Sequence, residues 1–499
     1  MAIGATPFVF GILSLGLGLL GAPGTSAMAA QDSASISETT TKLLGELNGP
    51  LNRVNEQNRS YTGLFDAYID MTQPPMPVGD DFNQTTVWNG MSDWSAVSDW
   101  AEANADMAKA IKGAQSKLML GLPYGEEFVP QSYRDAGVYV AIQLDNSAGE
   151  LVSLKYLEAM ETIATWSVAE QYRLCEAGSF DDAFSLGIAS ARVLRQLCDR
   201  QMLGEKFTSF RLLGEAMSVQ RDLMMHYLDQ IPVELFRKFA TKEYPFLKPS
   251  DNERLRRLEL PEGDRLVTAA VLTQVFDEDG DPVPDQLAMV FGSMQAEDAP
   301  LTRFGAIKRW QALAAVHGSM TASQEKLTDV YDDWWRRWRL RQYDPIQQLP
   351  SEFSRINEVR YAAVVQSIAD MKGLFAERNR LIVEIDGTVL AAGLCGYYRK
   401  HDNWPKDREM AYVTFIPKRF DFDPYDKDYG RLLFRYLGSR KEAIDTQYGR
   451  VYATGCLLYA RGSDNEDENG RVHDPDGTEA DFIIWPPLRE LARQQELID

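Results

Sequence analysis

Residues 381–392, with the sequence LIVEIDGTVLAA, decide the fold that we predict for the C-terminal part of the chain. The apolar residues of this stretch recur at spacings of four, four and three: Leu381, Ile385, Val389 and Ala392. That period places them on one face of an α-helix. We therefore expect a long helix that ends near His401.

Short strand-like runs follow this helix. They cover Leu432–Tyr436, Val451–Tyr459 and Phe482–Trp485, with prolines and an acidic stretch between them. Runs rich in aromatic and β-branched residues between turn residues are typical of strands. One helix followed by short antiparallel strands predicts a small α+β domain.

The part of the chain before this domain has a helical pattern. Apolar residues recur every three or four positions between residues 88 and 235, and two further long helices are expected at Arg303–Tyr331 or beyond and at Ser354–Ala376. The predicted fold class is α+β and mostly α, with an N-terminal antiparallel helical body followed by a small C-terminal domain in which one long helix packs against a short antiparallel sheet. The predicted division is a signal peptide at 1–29, a loose leader at 30–87 with one short helix around Thr41–Leu47, the helical body at 88–370, the α+β domain at 371–490 and a tail at 491–499.

The first 30 residues contain no Asp, Glu, Lys or Arg. An apolar run at Phe8–Leu20 is followed by glycine and proline and then by Ala27-Met28-Ala29, a small-x-small cleavage site. This order is typical of a secretory signal peptide, and the run is shorter than the roughly 20 residues that span a bilayer. We predict an extracytoplasmic protein, periplasmic or secreted, with no integral membrane span after cleavage. A retained anchor and a misread start are the alternatives.

The charge of the chain is strongly negative, with 52 Lys plus Arg against 73 Asp plus Glu among 499 residues. A net charge of −21 disfavours nucleic acid and anionic lipid as partners, because long-range repulsion opposes the encounter. Trp334–Arg341 is the one basic and aromatic stretch. Asp332 and Asp333 precede its first arginines by four residues, which favours an amphipathic helix over an interaction face for a partner or glycan.

The segment Asp464–Asp481, called the acidic loop below, holds eight carboxylates and a single basic residue, Arg471. Carboxylates at this density repel one another unless water solvates them or they share a cation. Calcium takes six to eight oxygen ligands in a flexible geometry and suits such a loop. A structural Ca²⁺ ion is therefore our hypothesis, and a solvated loop with no ordered ion is the alternative.

Four motifs occur in order in the last quarter of the chain: Asn403-x-Pro405, Asp423-Pro-Tyr425, Leu458–Asp464 and Ala480–Trp485. Their order and spacing resemble the globular head of the major type II secretion pseudopilins. The resemblance implies an α+β head whose loop binds calcium through carboxylates that correspond to Asp464 and Asp481, assisted by backbone carbonyls. Two stretches of the helical part, Trp100–Asn104 and the hairpin at Gly178–Phe180, resemble exported proteins, common in planctomycetes, that end in the same module. No activity is established for those proteins, so this resemblance implies architecture and no chemistry.

The four cysteines form two candidate pairs. Cys175 and Cys198 lie on consecutive predicted helices, and an exported chain can oxidise them. Cys395 and Cys456 lie on the helix and the strand that pack together in a pseudopilin head, so the resemblance implies this second pairing. Buried free thiols are the alternative for both pairs.

Signals of catalysis are weak in this sequence. The four histidines lie far apart, and no His-Glu-x-x-His, no Gly-x-Ser-x-Gly and no phosphate-binding loop ending in Gly-Lys occurs, which disfavours zinc, serine-hydrolase and NTPase chemistry. We predict a noncatalytic exported protein of the cell envelope that binds or scaffolds a protein or envelope partner. An exported hydrolase whose site has no local signature and a subunit of a secretion-related assembly are the alternatives.

Overall fold

The structure is a computed structural model, and it describes residues 38–144, 151–240, 260–294, 300–412, 415, 422–428, 430–477 and 479–498. The predicted signal peptide at 1–29 lies outside these residues. The part up to residue 240 is built almost entirely from helices. They are α1 (Glu38–Asn52), α2 (Tyr61–Ile69), α3 (Trp94–Ala103), α4 (Asp106–Ala114), α5 (Gln131–Asp135), α6 (Tyr156–Glu176), α7 (Phe180–Leu197), α8 (Leu203–His226) and α9 (Val233–Ala240).

Helices α6, α7 and α8 pack against one another, and α2, α3 and α4 cover them. One short antiparallel ribbon interrupts the helices, formed by β1 (Ala141–Ile142) and β2 (Val152–Ser153). The helices of this part confirm the helical pattern predicted from residue 88 to residue 235.

Residues 38–87, which we predict as a loose leader with one short helix around Thr41–Leu47, contain the two helices α1 and α2. Helix α1 buries Leu43, Leu47 and Leu51, and α2 buries Leu64 and Phe65. Leucines at spacings of four lie on one helical face. The short helix predicted around Thr41–Leu47 is therefore part of a longer helix that packs into the core.

The middle of the chain differs from the two long helices that the sequence predicts. The first is divided at Gly318, whose N–H donates to the Arg360 carbonyl at 2.7 Å, between two shorter helices. The segment predicted as a helix at 354–376 holds a 3₁₀ turn, one short helix and the start of the next helix. The helices observed are α10 (Gly263–Val275), α11 (Pro284–Met294), α12 (Pro300–Ala314), α13 (Met320–Arg339) and α14 (Ala362–Ser367).

The C-terminal part contains the predicted long helix and a small antiparallel sheet. Its elements are α15 (Lys372–His401), α16 (Arg408–Tyr412), β3 (Leu433–Thr446), β4 (Gly449–Ala460), β5 (Phe482–Trp485) and α17 (Leu488–Gln494). The strand order is β3-β4-β5, and both pairings are antiparallel. The predicted class, α+β and mostly α with a small antiparallel sheet, is therefore confirmed.

Helix α15 is shared by the helical body and the sheet. It packs against α8 and α9 on one side and against β4 and β5 on the other. A Cβ added to Gly387 would lie 2.6 Å from Ile484, and one added to Gly396 would lie 2.6 Å from Phe415. Residues Glu38–Asp499 accordingly form one compact unit.

The segment Ala362–His401 is long and apolar enough to cross a membrane by length and composition. Its most apolar window is 94% buried inside the protein. Such burial is what a central core helix shows, and α15 has protein on both sides.

Buried ion pairs also join α8 to the C-terminal part. The Arg221 guanidinium contacts the Glu384 carboxylate at 2.5 Å and donates to the Thr388 hydroxyl at 2.6 Å. Asp222 accepts from Arg489 of α17 at 2.6 Å. These pairs hold α15 and α17 in register on α8, because a buried charge needs its partner.

Candidate functional site

The acidic loop connects β4 to β5 and is fastened along β3. The Asp445 N–H donates to the Arg471 carbonyl, and the His473 N–H donates to the Asp445 carbonyl, both at 2.9 Å. Val472 forms a parallel bridge with Asp445. The loop therefore has a defined backbone path over the edge of the sheet.

A group of three carboxylates lies at the start of the loop. One oxygen each from Asp464, Glu466 and Glu468 lies within 4.8 Å of the other two. Asp464 and Glu466 are exposed, whereas Glu468 is half-buried. Oxygens this close to one another can contact the same cation.

Asp481 closes the loop immediately before β5 and is completely buried. Its Oδ2 accepts from the Gly470 N–H at 2.7 Å. Its Oδ1 has no hydrogen-bond partner among the described residues, and neither has Oε2 of Glu468. Buried polar atoms in proteins are nearly always satisfied, so these two oxygens require an explanation.

Asp481 and Glu468 are electrostatic neighbours. The pKa of Asp481 is raised to about 7, first by burial and then by the negative charges of Glu468 and Asp467, while the Gly470 N–H opposes the shift. The carboxyl of Glu468 lies within hydrogen-bonding range of Asp481 when one of the two is protonated. Glu468 thus belongs to the group of three and also contacts Asp481.

Other acids of the loop are used by their own backbone. Asp474 accepts from the N–H of Asp476 at 2.9 Å and of Glu479 at 2.8 Å. Asp467 accepts from the Asn469 N–H at 2.8 Å and from the Tyr459 hydroxyl at 3.1 Å. These carboxylates shape the loop, which leaves Glu468 and Asp481 as the pair with unsatisfied buried oxygens.

The neighbouring segment 423–427 supports the start of the loop. Asp423 is buried and accepts from the Arg461 N–H at 3.1 Å, and burial raises its pKa to about 6. Asp426 forms an ion pair with Arg461, and the Lys427 N–H donates to Asn465 Oδ1 at 3.0 Å. Residues 423–427, which include the Asp423-Pro-Tyr425 motif, therefore stabilise the start of the loop through contacts with Arg461 and Asn465.

The structure brings together only part of the predicted metal site. Asp464 belongs to the group of three, but Asp481 does not, and Glu468 lies between them. Glu466 and Glu468 were not singled out as ligands from the sequence. The alternation of acids at 464, 466 and 468 was the signal that could have identified them.

His473 and the cysteines have structural roles. His473 Nδ1 accepts from the Ile483 N–H at 3.1 Å, and burial lowers its pKa to about 4, so the imidazole is neutral at pH 7. The four cysteines are buried free thiols. Neither predicted disulfide is formed, although Cys456 lies near enough to Cys395 to help raise its pKa.

The basic stretch Trp334–Arg341 belongs for the most part to the end of α13. Trp334 and Trp338 are buried, and Arg337 pairs with Asp333 at 2.8 Å. The prediction of an amphipathic helix whose tryptophans pack inside is confirmed.

A cleft of about 900 Å³ lies beside the acidic loop. Its walls come from the end of α13 and the turns after it, from the first turns of α15, and from Tyr425, Ser463 and Gly477. The cleft is large enough to hold a small organic molecule.

Comparison with known proteins gives no further guide to the activity: no family model, no curated protein and no solved structure matches the chain.

Proposed function

We propose that this chain is a noncatalytic exported protein of the cell envelope that binds or scaffolds a partner, and that a structural Ca²⁺ ion stabilises its acidic loop. The observation that supports the ion most directly is the unsatisfied and fully buried Oδ1 of Asp481 beside Oε2 of Glu468.

A cation accounts for these two oxygens. A buried carboxylate without a partner is costly, and two adjacent ones repel each other. A divalent ion shared by Asp481 and Glu468 would remove both penalties, and Asp464 and Glu466 offer further oxygens at the exposed side. Calcium accepts such an irregular set, whereas Mg²⁺ demands a near-ideal octahedron.

A shared proton is the competing explanation. With a pKa of about 7, Asp481 is half protonated at neutral pH and can donate to Glu468. A shared proton and a bound cation would each satisfy the oxygens of Asp481 and Glu468, and the two exclude each other. A titration with calcium therefore distinguishes between them.

We expect calorimetric titration of chelator-treated protein to show one Ca²⁺ bound per chain, and the ion to raise the melting temperature by several degrees. Replacement of Glu468 by glutamine should weaken binding by about tenfold or more, because a ligand charge is lost. Glu479→Gln is the matched control, since Glu479 is an exposed acid of the same loop outside the group.

If millimolar calcium gives no heat of binding and no shift in melting temperature, the proposal of a structural Ca²⁺ ion is contradicted. Equal loss of binding in the Glu468 and Glu479 variants would show a diffuse effect of charge rather than a site.

The export part of the proposal is supported by the uncharged apolar leader and its small-x-small site. The envelope role is supported by the net charge of −21, which favours solubility and disfavours nucleic acid. The noncatalytic part is supported by the cleft, whose lining includes neither histidine nor cysteine among the described residues.

Fractionation of the native host should place the mature chain outside the cytoplasm. Its N-terminus, determined by mass spectrometry, should be Ala30, because the predicted cleavage follows Ala29. A chain that keeps Met1 and stays in the cytoplasmic fraction would contradict the export proposal.

A further inference from the structure

The cleft beside the acidic loop contains an arginine that differs from the other buried arginines. The described part of the chain holds six: Arg195, Arg200, Arg221, Arg337, Arg378 and Arg493. Five of them contact an Asp or Glu oxygen at 2.5–3.8 Å. Arg378 has no such partner among the described residues, although only 9% of it is exposed.

The surroundings of Arg378 fix its position without neutralising its charge. Its Nη1 donates to the Trp338 carbonyl at 2.8 Å, and the guanidinium lies 3.9 Å above the centre of the Trp338 ring. Its Nε has no hydrogen-bond partner in the part of the chain that the structure describes. Burial lowers the pKa of Arg378 to about 10, so the group is still a cation at neutral pH.

A second unsatisfied polar group lines the same cleft. The Tyr425 side chain is buried, and its hydroxyl has no hydrogen-bond partner among the described residues. Burial raises the pKa of this hydroxyl, so it remains a donor. A Cβ added to Gly477 would lie 3.3 Å from the hydroxyl oxygen, which shows how closely the tip of the acidic loop approaches it.

The rest of the lining limits what can bind. Leu340, Leu349 and Phe375 give the cleft apolar surface. Asp370 and Asp476 also line it, and so do Lys372 and Arg337, of which Arg337 is already paired with Asp333. Apart from Arg337 and Arg378, the lining thus holds two acids and one base, which disfavours a ligand that carries several negative charges. One anionic group with an apolar body therefore fits better than a phosphate or a nucleotide.

We propose that this cleft binds a small organic monocarboxylate, whose carboxylate is held by Arg378 and Tyr425 and whose apolar part packs against Leu340, Leu349 and Phe375. Arginine prefers carboxylates because its planar fork can donate two parallel hydrogen bonds. The ligand supplies the counter-ion that the other five buried arginines receive from the protein itself.

This inference goes beyond the calcium site and does not require it. None of the residues that carry it belongs to the Asp464, Glu466 and Glu468 group. Binding of the carboxylate can therefore be measured with calcium and with chelator, and a failure of either site is separable from the other.

The test uses phenylacetate and its neutral counterpart phenylacetamide, titrated into the full mature chain and followed by calorimetry and by tryptophan fluorescence. We expect saturable binding of phenylacetate, with a change in fluorescence because Trp338 stacks on Arg378. The amide should bind at least about tenfold more weakly, which is the value of a charge-assisted hydrogen bond. Octanoate in place of phenylacetate shows whether the apolar wall prefers an aromatic or an aliphatic body.

Two variants locate the site. Arg378→Gln should lower the affinity for phenylacetate by about tenfold or more and leave the affinity for phenylacetamide unchanged. Tyr425→Phe should weaken phenylacetate binding severalfold without lowering the melting temperature, because the hydroxyl has no hydrogen-bond partner to lose among the described residues. Tyr172→Phe is the matched control, since it removes another buried unsatisfied hydroxyl from helix α6.

Equal affinity for the acid and the amide would overturn the proposal, and so would absence of saturable binding of either acid at millimolar concentration. If Arg378→Gln does not fold, Tyr425→Phe still tests whether the carboxylate binds in this cleft. An affinity unchanged by Tyr425→Phe and equal to that of Tyr172→Phe would place the ligand elsewhere.

Discussion

Replacement of Glu205 by glutamine is expected to lower the free energy of unfolding by about 3–5 kcal/mol, the usual effect of breaking a buried ion pair. Glu205 is completely buried at the start of α8. It accepts from Arg200 Nε at 2.7 Å and from the hydroxyls of Tyr124 and Tyr156 at 2.7 and 2.6 Å. Its Oε2 also accepts from the Met202 N–H at 3.0 Å.

The physical reason is the charge left behind. Glutamine keeps the size of the side chain but leaves the guanidinium of Arg200, only 4% exposed, without a counter-ion. The amide group also offers a donor where both tyrosines need an acceptor. Chemical denaturation of the full chain would measure the loss.

Glu158→Gln is the control for this prediction. Glu158 lies on the adjacent helix α6 and pairs with Lys155 at 3.8 Å, with 79% of its side chain exposed. Such surface pairs contribute about 0–1 kcal/mol. A Glu205 variant no less stable than the Glu158 variant would show that the buried cluster does not hold α8 in place.

Asp481→Asn is expected to have opposite effects with and without calcium. In chelator at pH 8 the variant should be more stable than the wild type by about 1–3 kcal/mol, because it removes a buried charge that is only partly screened. An asparagine can keep the Gly470 hydrogen bond through its oxygen and donate to Glu468 through its amide. In saturating calcium the variant should be the less stable of the two, since it lacks a charged ligand.

The same residue sets a dependence on pH. The pKa of Asp481 is raised to about 7 in the folded chain from its ordinary value of 3.8. Between about pH 4 and pH 7 the folded protein therefore keeps a proton on Asp481 that the unfolded chain releases. The resulting stability is fully present below about pH 4 and is lost as the pH rises through 7.

Calcium should abolish this loss, because the bound ion stabilises the ionised carboxylate and lowers its pKa. Thermal melts of the wild type and of Asp481→Asn between pH 4 and 8, with calcium and with chelator, measure both effects. If the wild type and Asp481→Asn differ in melting temperature by the same amount with calcium and with chelator, Asp481 has no part in binding an ion.

The sequence predicts those parts of the fold whose hydrophobic period is complete within one segment. The apolar face from Leu381 to Ala392 identifies α15, and the run Val451–Tyr459 identifies most of β4. In the leader the same signal predicts a short helix around Thr41–Leu47, and the polar residues around it concealed that the helix continues to Asn52.

The errors in the middle of the chain have one tertiary and one local cause. The break between α12 and α13 depends on Gly318, where a Cβ would lie 3.3 Å from the Arg360 carbonyl. The start of α15 at Lys372 is favoured by Asp370, whose side chain accepts the Lys372 N–H at 3.0 Å. Neither contact can be derived from local periodicity, because the break at Gly318 involves a residue distant in sequence and the cap at Asp370 is one acid among many.

The candidate site was predicted by composition and not by geometry. The density of acids located the loop, but the burial of Asp481 depends on the register of β5, which the sequence leaves open. The importance of Glu468 follows from its contact with Asp481, across a turn at Asn469 and Gly470 with positive φ of 62° and 66°. The sequence does not predict that Arg378 has no acidic partner among the described residues, because an arginine on a helix usually forms an ion pair with a nearby acid.

A crystal structure of the mature chain grown in millimolar calcium tests the central claim most directly. We predict one peak of ion density bound by Asp481 Oδ1 and Glu468 at about 2.3–2.6 Å, with Asp464 or Glu466 completing the shell. A structure in which the two carboxyl groups instead bond to each other, with no ion between them, would contradict it.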